Sequence, residues 1–275
     1  VGSEMCIRDS FTTNRVQAAP VTVSKKHIAD GKLSAVVLNS GNANACNGQP
    51  GISDALEVCQ KVADELGVDV TEIGTCSTGL IGDRLPMDIV LAGVPKLCEN
   101  LGSDAAAGTA AAEAILTTDL VAKQAVAHGD GFTVGAMGKG VGMISPSMAT
   151  MLGVITTDAS VSAEMAHEAI AKASEVTFNR LDIDGSTSTN DTVIILANGA
   201  SGVKPSQEEL DQAVLSVCDS IARQMQSDAE GVTKRVSVTV RGTGGAEDAL
   251  VAARIIGRDN LFKCATVSYT HLTLP

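Results

Sequence analysis

Short runs of β-branched residues alternate along the chain with longer stretches in which apolar residues recur at helical spacing. The pattern predicts helices over residues 52–66, 86–97, 104–116, 162–176 and 206–226. It predicts strands over residues 34–39, 73–77, 132–137, 151–155, 192–197 and 236–241. We therefore expect an α/β fold, a layered sandwich in which helices pack on a central sheet.

The last predicted helix gives the strongest of these signals. It begins with Ser206 and Glu209 in the spacing of a capping box. Its apolar face consists of Leu210, Ala213, Val214, Val217, Cys218, Ile221, Ala222 and Met225. Aromatic residues make up only 2% of the 275 residues, and there is no Trp, so the core must be built from Ala, Val, Ile, Leu and Met. Such small side chains suit closely packed layers of helix and sheet.

Charge and cysteine content exclude several classes of protein. The net charge of -12 argues against nucleic acid as a partner, because phosphate binding needs clusters of Lys and Arg. The sequence holds no run of 18 apolar residues, no secretion leader and no metal-ligand cluster. Its seven Cys are odd in number and form no C-x-x-C pair, which favours free thiols in a reducing compartment. We expect a cytoplasmic protein that binds neither membrane nor metal.

The two ends of the chain fit none of the predicted elements. VGSEMCIRDS (residues 1–10) and VSYTHLTLP (residues 267–275) both resemble the translated sequencing-adapter tails found on metagenomic protein fragments. We expect both segments to be non-native, and the native part, residues 11–266, to be cut at both ends.

The segment GKGVGMISPSMATMLGVITT (residues 138–157) has the features of a self-cleavage site. Glycines and Pro146 lead to the small residue Ala149, and Thr150 stands where an apolar strand begins. Attack of the Thr150 hydroxyl on the Ala149 carbonyl would break the peptide bond, giving an ester and the free α-amine of Thr150, and hydrolysis of that ester would then free the hydroxyl and separate the two chains. With an ordinary pKa of about 8, this amine can act as general base for its own hydroxyl. Taken alone, a glycine-rich loop before a strand is more often a plain turn.

GKGVGMISPSMATML resembles the processing-site signature of the ornithine acetyltransferase family, in which cleavage falls between Ala and Thr. Further blocks resemble the family's in the family's order: FTTNRVQAAPV, AVVLNSGNANACNG, CSTGLIGDRLPM, AILTTD and LDIDGSTSTNDT. The resemblance implies a self-processing fold of the N-terminal-nucleophile type. Residues 11–149 would form the α-chain portion, and residues 150–266 the start of the β-chain, whose C-terminal part is missing.

The resemblance also implies a role for individual residues. Thr78 and Gly79 match the pair that forms the oxyanion hole, while substrate-binding positions are matched by Thr117, Lys139, Thr150 and Glu230. Three of these residues have a plainer alternative role: a helix cap for Thr78, a solvated loop residue for Lys139 and an exposed carboxylate after a helix for Glu230. The family's remaining substrate-binding residues, an Asn and a Ser or Thr near its C-terminus, have no counterpart in this sequence.

The implied function is acetyl transfer from N-acetylornithine to glutamate, in arginine biosynthesis, through an acetyl ester on Thr150. It implies no cofactor and leaves open whether acetyl-CoA is a second acetyl donor. The implied assembly is a homo-oligomer of heterodimers, each made of the α and β chains that self-cleavage produces.

Two other enzyme classes and a non-catalytic binding module compete with this interpretation. LDIDGSTST resembles the D-x-D-G-T motif of haloacid-dehalogenase-type phosphatases, with Asp182 as nucleophile, Asp184 as acid and Mg²⁺ as cofactor. That motif should end an apolar strand, yet residues 177–180 are largely polar. An amidase or aminopeptidase of the same self-cleaving architecture is the nearer alternative, because hydrolysis differs from transfer only in whether water is excluded.

Overall fold

The computed structural model describes residues 6–143, 151–242 and 244–268 of the chain. Within these ranges the strands are β1 (Cys6–Phe11), β2 (Ala35–Asn42), β3 (Ile73–Leu80), β4 (Lys123–His128), β5 (Thr133–Lys139), β6 (Leu152–Thr157) and β7 (Thr192–Ala197). The α-helices are α1 (Ala19–His27), α2 (Gly48–Leu66), α3 (Met87–Glu99), α4 (Ala105–Ala114), α5 (Ala163–Val176), α6 (Gln207–Ser227), α7 (Ala246–Arg258) and α8 (Asn260–Ser268).

The strands form two sheets. The larger has five strands in the order β1-β7-β6-β5-β4, in which β6 and β7 run parallel and the other neighbours run antiparallel. The smaller consists of β2 and β3, which run parallel. Parallel neighbours require a crossover connection, and α2 provides it for β2 and β3 while α5 provides it for β6 and β7.

The core clusters show that these sheets and helices stack in four layers. On one face of the large sheet, Val193 and Ile195 of β7 pack in the same cluster as the apolar faces of α5 and α6. On the opposite face, Ile194 and Leu196 share a cluster with residues of the small sheet, such as Leu38. The other face of the small sheet packs with α1, α2 and α3. Strand β7 is thus buried on both faces, which explains its unbroken apolar sequence.

This architecture confirms the predicted layered α/β sandwich, and most predicted elements are present. Strand β7 has the predicted bounds, and α6 begins with the predicted capping box, in which Ser206 and Glu209 hydrogen-bond each other's backbone. All eight residues of its predicted apolar face are buried.

The prediction of a strand over residues 236–241 is wrong. These residues follow an irregular path and are mostly exposed. Val236, Val238 and Val240 have the period of a strand, but a strand also needs a neighbour to take its backbone hydrogen bonds. None of the strands in the described ranges lies beside this segment.

The expectation that the first ten residues fit no element is also wrong in part. Residues 6–11 form β1, which pairs antiparallel with β7, Ile7 opposite Leu196 and Asp9 opposite Ile194. The non-native origin of residues 1–10 and 267–275, and the division of the chain at residues 149 and 150, stay predictions.

Candidate functional site

Thr78 lies inside strand β3, and its side chain is completely buried. Its Oγ1 has no hydrogen-bond partner among the described residues. The alternative of a helix cap is therefore wrong, because no helix begins at this position. A buried hydroxyl without a partner is unfavourable for stability and is expected where function requires it.

Gly79, the next residue, lies opposite Gly41 in the small sheet and leaves no room for a side chain. Its φ is +129°, and an added Cβ would lie 2.2 Å from the Gly41 carbonyl carbon and 2.5 Å from the Asn42 nitrogen. Only glycine fits there, so the backbone at Gly79 is held against β2 in one position.

Ala149 and Thr150, the predicted cleavage site, lie outside the described residues. The residue that follows them, Met151, is buried, and its backbone N–H donates to Asp191 Oδ1 at 3.0 Å. Asp191 is itself fully buried, and its Oδ2 has no partner among the described residues. Burial raises the pKa of Asp191 well above its usual value, although the hydrogen bonds from Met151 and Ser188 oppose the shift.

Asn190 connects this point to the oxyanion candidates. Its Nδ2 donates to the carbonyl oxygens of Ala43 at 2.6 Å and Ser77 at 2.9 Å. Ser77 directly precedes Thr78, and Asp191 directly follows Asn190. The consecutive pair Asn190–Asp191 therefore ties the residue before Thr78 to the residue after Thr150.

Lys139 ends strand β5 and lies opposite Leu152, two residues after Thr150. It is only 2% exposed. Its Nζ donates to Thr117 Oγ1 at 2.7 Å and lies 3.2 Å from Asp119 Oδ2. The alternative of a solvated loop lysine is therefore wrong. Burial lowers the pKa of Lys139, and the neighbouring Asp119 carboxylate opposes the shift.

Glu230 lies beside the segment that follows Lys139. Its backbone N–H donates to Val141 O at 2.7 Å, and a Cβ placed on Gly142 would lie 3.3 Å from Glu230 Oε2. The Glu230 side chain is exposed, which agrees with the alternative of an exposed carboxylate after a helix. Its backbone nevertheless lies beside the residues that follow Lys139 at the end of β5.

A further hydrogen bond joins the Thr78 region to the Thr117 loop. Ser40 lies opposite Thr78 in the small sheet, and its Oγ donates to Ala114 O at 2.9 Å. Ala114 ends α4, three residues before Thr117. The described residues among the candidates thus occupy neighbouring segments of one region.

Several buried polar residues of this region were not predicted as functional: Asp119, Lys123, Asn190, Asp191 and Asp228. Asp119, Asn190 and Asp191 stand within the family-like blocks AILTTD and LDIDGSTSTNDT, so their positions were marked although their contacts were not. Asp228 begins DAEGVTK, the string in which Glu230 matches the family, whereas Lys123 carries no such sequence signal.

The structure does not have the strand that the phosphatase alternative requires before Asp182. Asp182 and Asp184 follow a 3₁₀ turn (Phe178–Arg180), not a strand. The Asp182 carboxylate pairs with Arg258 at 3.1 Å and Lys263 at 2.9 Å, so both its oxygens already have cationic partners.

Residues 6–143, 151–242 and 244–268 offer neither a metal site nor a membrane-spanning helix. They contain no group of three or more His, Cys, Asp or Glu side chains that could hold a metal ion. None of their helices combines the length and the apolar character that crossing a membrane requires.

Comparison with known proteins shows the family to which the chain belongs. The model of the ArgJ family matches residues 3–269. The chain belongs to the ArgJ family. The arginine biosynthesis bifunctional protein ArgJ of Mycolicibacterium paratuberculosis is 53% identical over 261 residues, which cover 93% of this chain and 65% of that protein. The ArgJ protein of Mycobacterium leprae is 51% identical over 270 residues, 96% of this chain and 66% of that protein.

A solved structure of an ornithine acetyltransferase complexed with ornithine, from Mycobacterium tuberculosis, is similar in fold. The TM-score is 0.52 at 44% identity, over 54% of this chain and 79% of that one. The chain spans about 65% of the length of the curated ArgJ relatives that it matches.

Proposed function

We propose that the protein transfers an acetyl group from N-acetylornithine to glutamate, in arginine biosynthesis, through an acetyl ester on Thr150. Membership of the ArgJ family supports this proposal. The names of its relatives support it as well. Those relatives are bifunctional proteins of arginine biosynthesis and an ornithine acetyltransferase whose structure contains ornithine.

The observation that carries the proposal is the buried Thr78 hydroxyl, which has no partner among the described residues. Acyl transfer passes through a tetrahedral intermediate with a negatively charged oxygen, and a fixed donor aimed at that oxygen stabilises it. The Thr78 hydroxyl and the Gly79 N–H are the proposed donors. Gly79 pairs with Gly41 in the small sheet, which fixes the position of its backbone.

The proposed reaction has two steps. The Thr150 hydroxyl attacks the acetyl carbonyl of N-acetylornithine, its proton passes to the Thr150 α-amine, and the C–N bond breaks as that proton reaches the departing amine of ornithine. The amine of glutamate then attacks the ester carbonyl, the C–O bond to Thr150 breaks, and the hydroxyl regains a proton. The free α-amine comes from earlier cleavage of the bond between Ala149 and Thr150.

The proposed substrate contacts use both signs of charge. An amino acid carries a carboxylate and an ammonium group, and Lys139 and Glu230 offer a cation and an anion on adjacent segments. Thr117, which accepts a hydrogen bond from Lys139, is the proposed third contact.

We further propose a cytoplasmic location and an oligomer of αβ heterodimers. The α part would comprise residues 11–149, and the β part would begin at Thr150. No cofactor enters the proposed reaction, and acetyl-CoA as a second acetyl donor would account for the word bifunctional in the relatives' names.

Steady-state kinetics of the protein expressed from its complete reading frame tests this proposal. A covalent acetyl-enzyme predicts parallel lines in double-reciprocal plots when N-acetylornithine and glutamate are varied together. Lines that intersect would contradict the relay. Acetate release that is independent of glutamate would favour the amidase alternative, and loss of activity with a magnesium chelator would favour the phosphatase.

A further inference from the structure

A buried group of four charged side chains lies behind the proposed substrate contacts: Asp119, Lys123, Lys139 and Asp228. Lys123 is completely buried at the start of β4, and its Nζ donates to Asp119 Oδ1 and Asp228 Oδ2, both at 2.7 Å. The other oxygen of Asp119 faces Lys139. Two cations and two anions therefore balance, which is the condition under which buried charges are tolerated.

Three members of this group are, or lie close in sequence to, a proposed substrate contact. Asp119 is two residues after Thr117, and Asp228 is two residues before Glu230. Lys139 belongs to both sets. Lys123 bridges Asp119 and Asp228, although it is 105 residues from Asp228 in sequence.

The backbone strengthens these links. Asp119 Oδ1 also accepts the N–H of Gly140 at 2.8 Å, which fixes the residue after Lys139. Asp228 Oδ2 accepts the N–H of Leu120 at 3.0 Å, which holds the loop that carries Thr117 against the end of α6. The three segments therefore cannot shift independently without breaking a buried, charge-assisted hydrogen bond.

The Lys139 ammonium has three hydrogens. Thr117 and Asp119 are its partners among the described residues, and we assign its third hydrogen to the substrate as part of the proposed function. The direction of that hydrogen depends on where Asp119 holds the ammonium, and Lys123 holds Asp119 from the other side.

We propose that Lys123 and Asp228 are positioning residues, which fix the segments of Thr117, Lys139 and Glu230 relative to one another for recognition of the amino-acid substrate. This inference rests on the proposed function, because it assigns the substrate contacts to those three residues. Lys123 and Asp228 are expected to touch no substrate and to act through Asp119 and the loop.

The test compares Asp228→Asn, Lys123→Met and the double variant. Asp228→Asn keeps an acceptor for Leu120 but leaves one excess positive charge, and it is the milder change. Lys123→Met leaves one excess negative charge, and the double variant restores the balance. We expect each single variant to raise KM for N-acetylornithine by about tenfold to a hundredfold, because a displacement of about 1 Å can have effects of that size. The double variant should recover part of the loss, and kcat should change less than KM.

Lys139→Met provides the reference and Lys172→Met the control. Lys172 forms an exposed ion pair with Asp211 on α5 and α6, away from this region, so its loss should leave KM unchanged. The titration of Lys139, followed by NMR of its labelled Cε, provides a second readout in folded protein. Burial lowers the pKa of Lys139 most, and the Lys123 charge lowers it further, so Lys123→Met should raise that pKa. Asp228→Asn removes a negative charge from the same group and should lower it.

The possible results separate the two proposals. If Lys139→Met raises KM while Lys123→Met and Asp228→Asn change only the unfolding midpoint, the four charges are structural and the inference is overturned. If Lys139→Met itself leaves KM unchanged, the proposed substrate contact fails, and the inference fails with it. If Lys123→Met does not fold, Asp228→Asn alone tests the inference. A raised KM together with a lowered pKa of Lys139 would support it, and an unchanged KM would overturn it.

Discussion

At the scale of single residues, the site is marked by polar groups that are buried at the expense of stability. The Thr78 hydroxyl and Asp191 Oδ2 are both buried without a partner among the described residues. Burying a polar group without a hydrogen bond costs about 1–3 kcal/mol. Two such groups in neighbouring segments, joined through Asn190, indicate a place where catalysis and not packing decides the residue.

Replacing Thr78 with Val should separate activity from stability. The variant loses the proposed oxyanion donor, so we expect the transfer rate to fall by about 100- to 1000-fold. The unfolding free energy should stay the same or rise, because the lost hydroxyl makes no hydrogen bond among the described residues. Transfer assays and urea unfolding measure the two effects.

A matched control is Thr157→Val in β6. The Thr157 hydroxyl is buried but donates to Thr133 O at 2.8 Å and accepts the Ala159 N–H at 3.2 Å, so its loss should lower the unfolding free energy by about 1–3 kcal/mol and leave the rate unchanged. Equal rates for Thr78→Val and the wild type would refute the oxyanion role.

Asp191 should make the unfolding free energy depend on pH. Burial raises its pKa in the folded protein above the value of about 3.9 in an unfolded chain, so folding takes up a proton. Its contribution to stability is therefore present at low pH and is lost as the pH rises towards the folded-state pKa. Asp191→Asn keeps an acceptor for the Met151 N–H but cannot ionise.

We expect Asp191→Asn to gain stability relative to the wild type as the pH rises from about 4 towards the folded-state pKa of Asp191, with a limiting slope of about 1.4 kcal/mol per pH unit. Urea midpoints of both proteins, measured across this range, give the difference. A difference that does not vary with pH would show that the Asp191 carboxyl titrates alike in the folded and unfolded chains.

At the scale of elements, the sequence predicts those whose buried face has an unbroken or periodic apolar pattern and misses those in which buried polar residues interrupt that pattern. Strand β7 and helix α6 are predicted almost residue for residue, because burial selects an unbroken or periodic apolar pattern. Helix α1 was not predicted, since its buried side includes Ser24 and His27, which interact with the carbonyl oxygens of Thr75 and Ile73. No periodicity of apolar residues reveals such a face.

Strand β4 and the four-charge group were missed for the same reason. β4 begins with the buried Lys123, whose partners Asp119 and Asp228 compensate its charge. A lysine in a sequence is expected to be exposed, and only the fold brings Asp228 to it. The site residues Thr78, Gly79, Thr117, Lys139 and Glu230 were found by family resemblance, whereas their supporting contacts needed the structure.

At the scale of the whole molecule, the large sheet interleaves the two proposed chains. Strands β4 and β5 precede the proposed cut after Ala149, and β6 and β7 follow it. The ladders of β5 with β6 and of β1 with β7 therefore join residues on opposite sides of the cut. The core cluster between this sheet and α5 and α6 also draws on both parts.

Cleavage should for this reason not release either part. We expect the two fragments to elute together in size-exclusion chromatography under native conditions and to separate only in denaturant. Fragments that separate without denaturant would contradict the shared sheet. The uncleaved variant Thr150→Ala provides the single-chain reference.

The central claim is that the acetyl group is carried by Thr150 of a cleaved chain. Its most direct test is mass spectrometry of the protein, expressed from its complete reading frame and quenched in acid after incubation with N-acetylornithine in the absence of glutamate. The account predicts a fragment that begins at Thr150 and carries one added acetyl group on its hydroxyl, which disappears when glutamate is supplied. An intact, uncleaved chain that retains transferase activity, or an acetyl group on any other residue that glutamate removes, would contradict it.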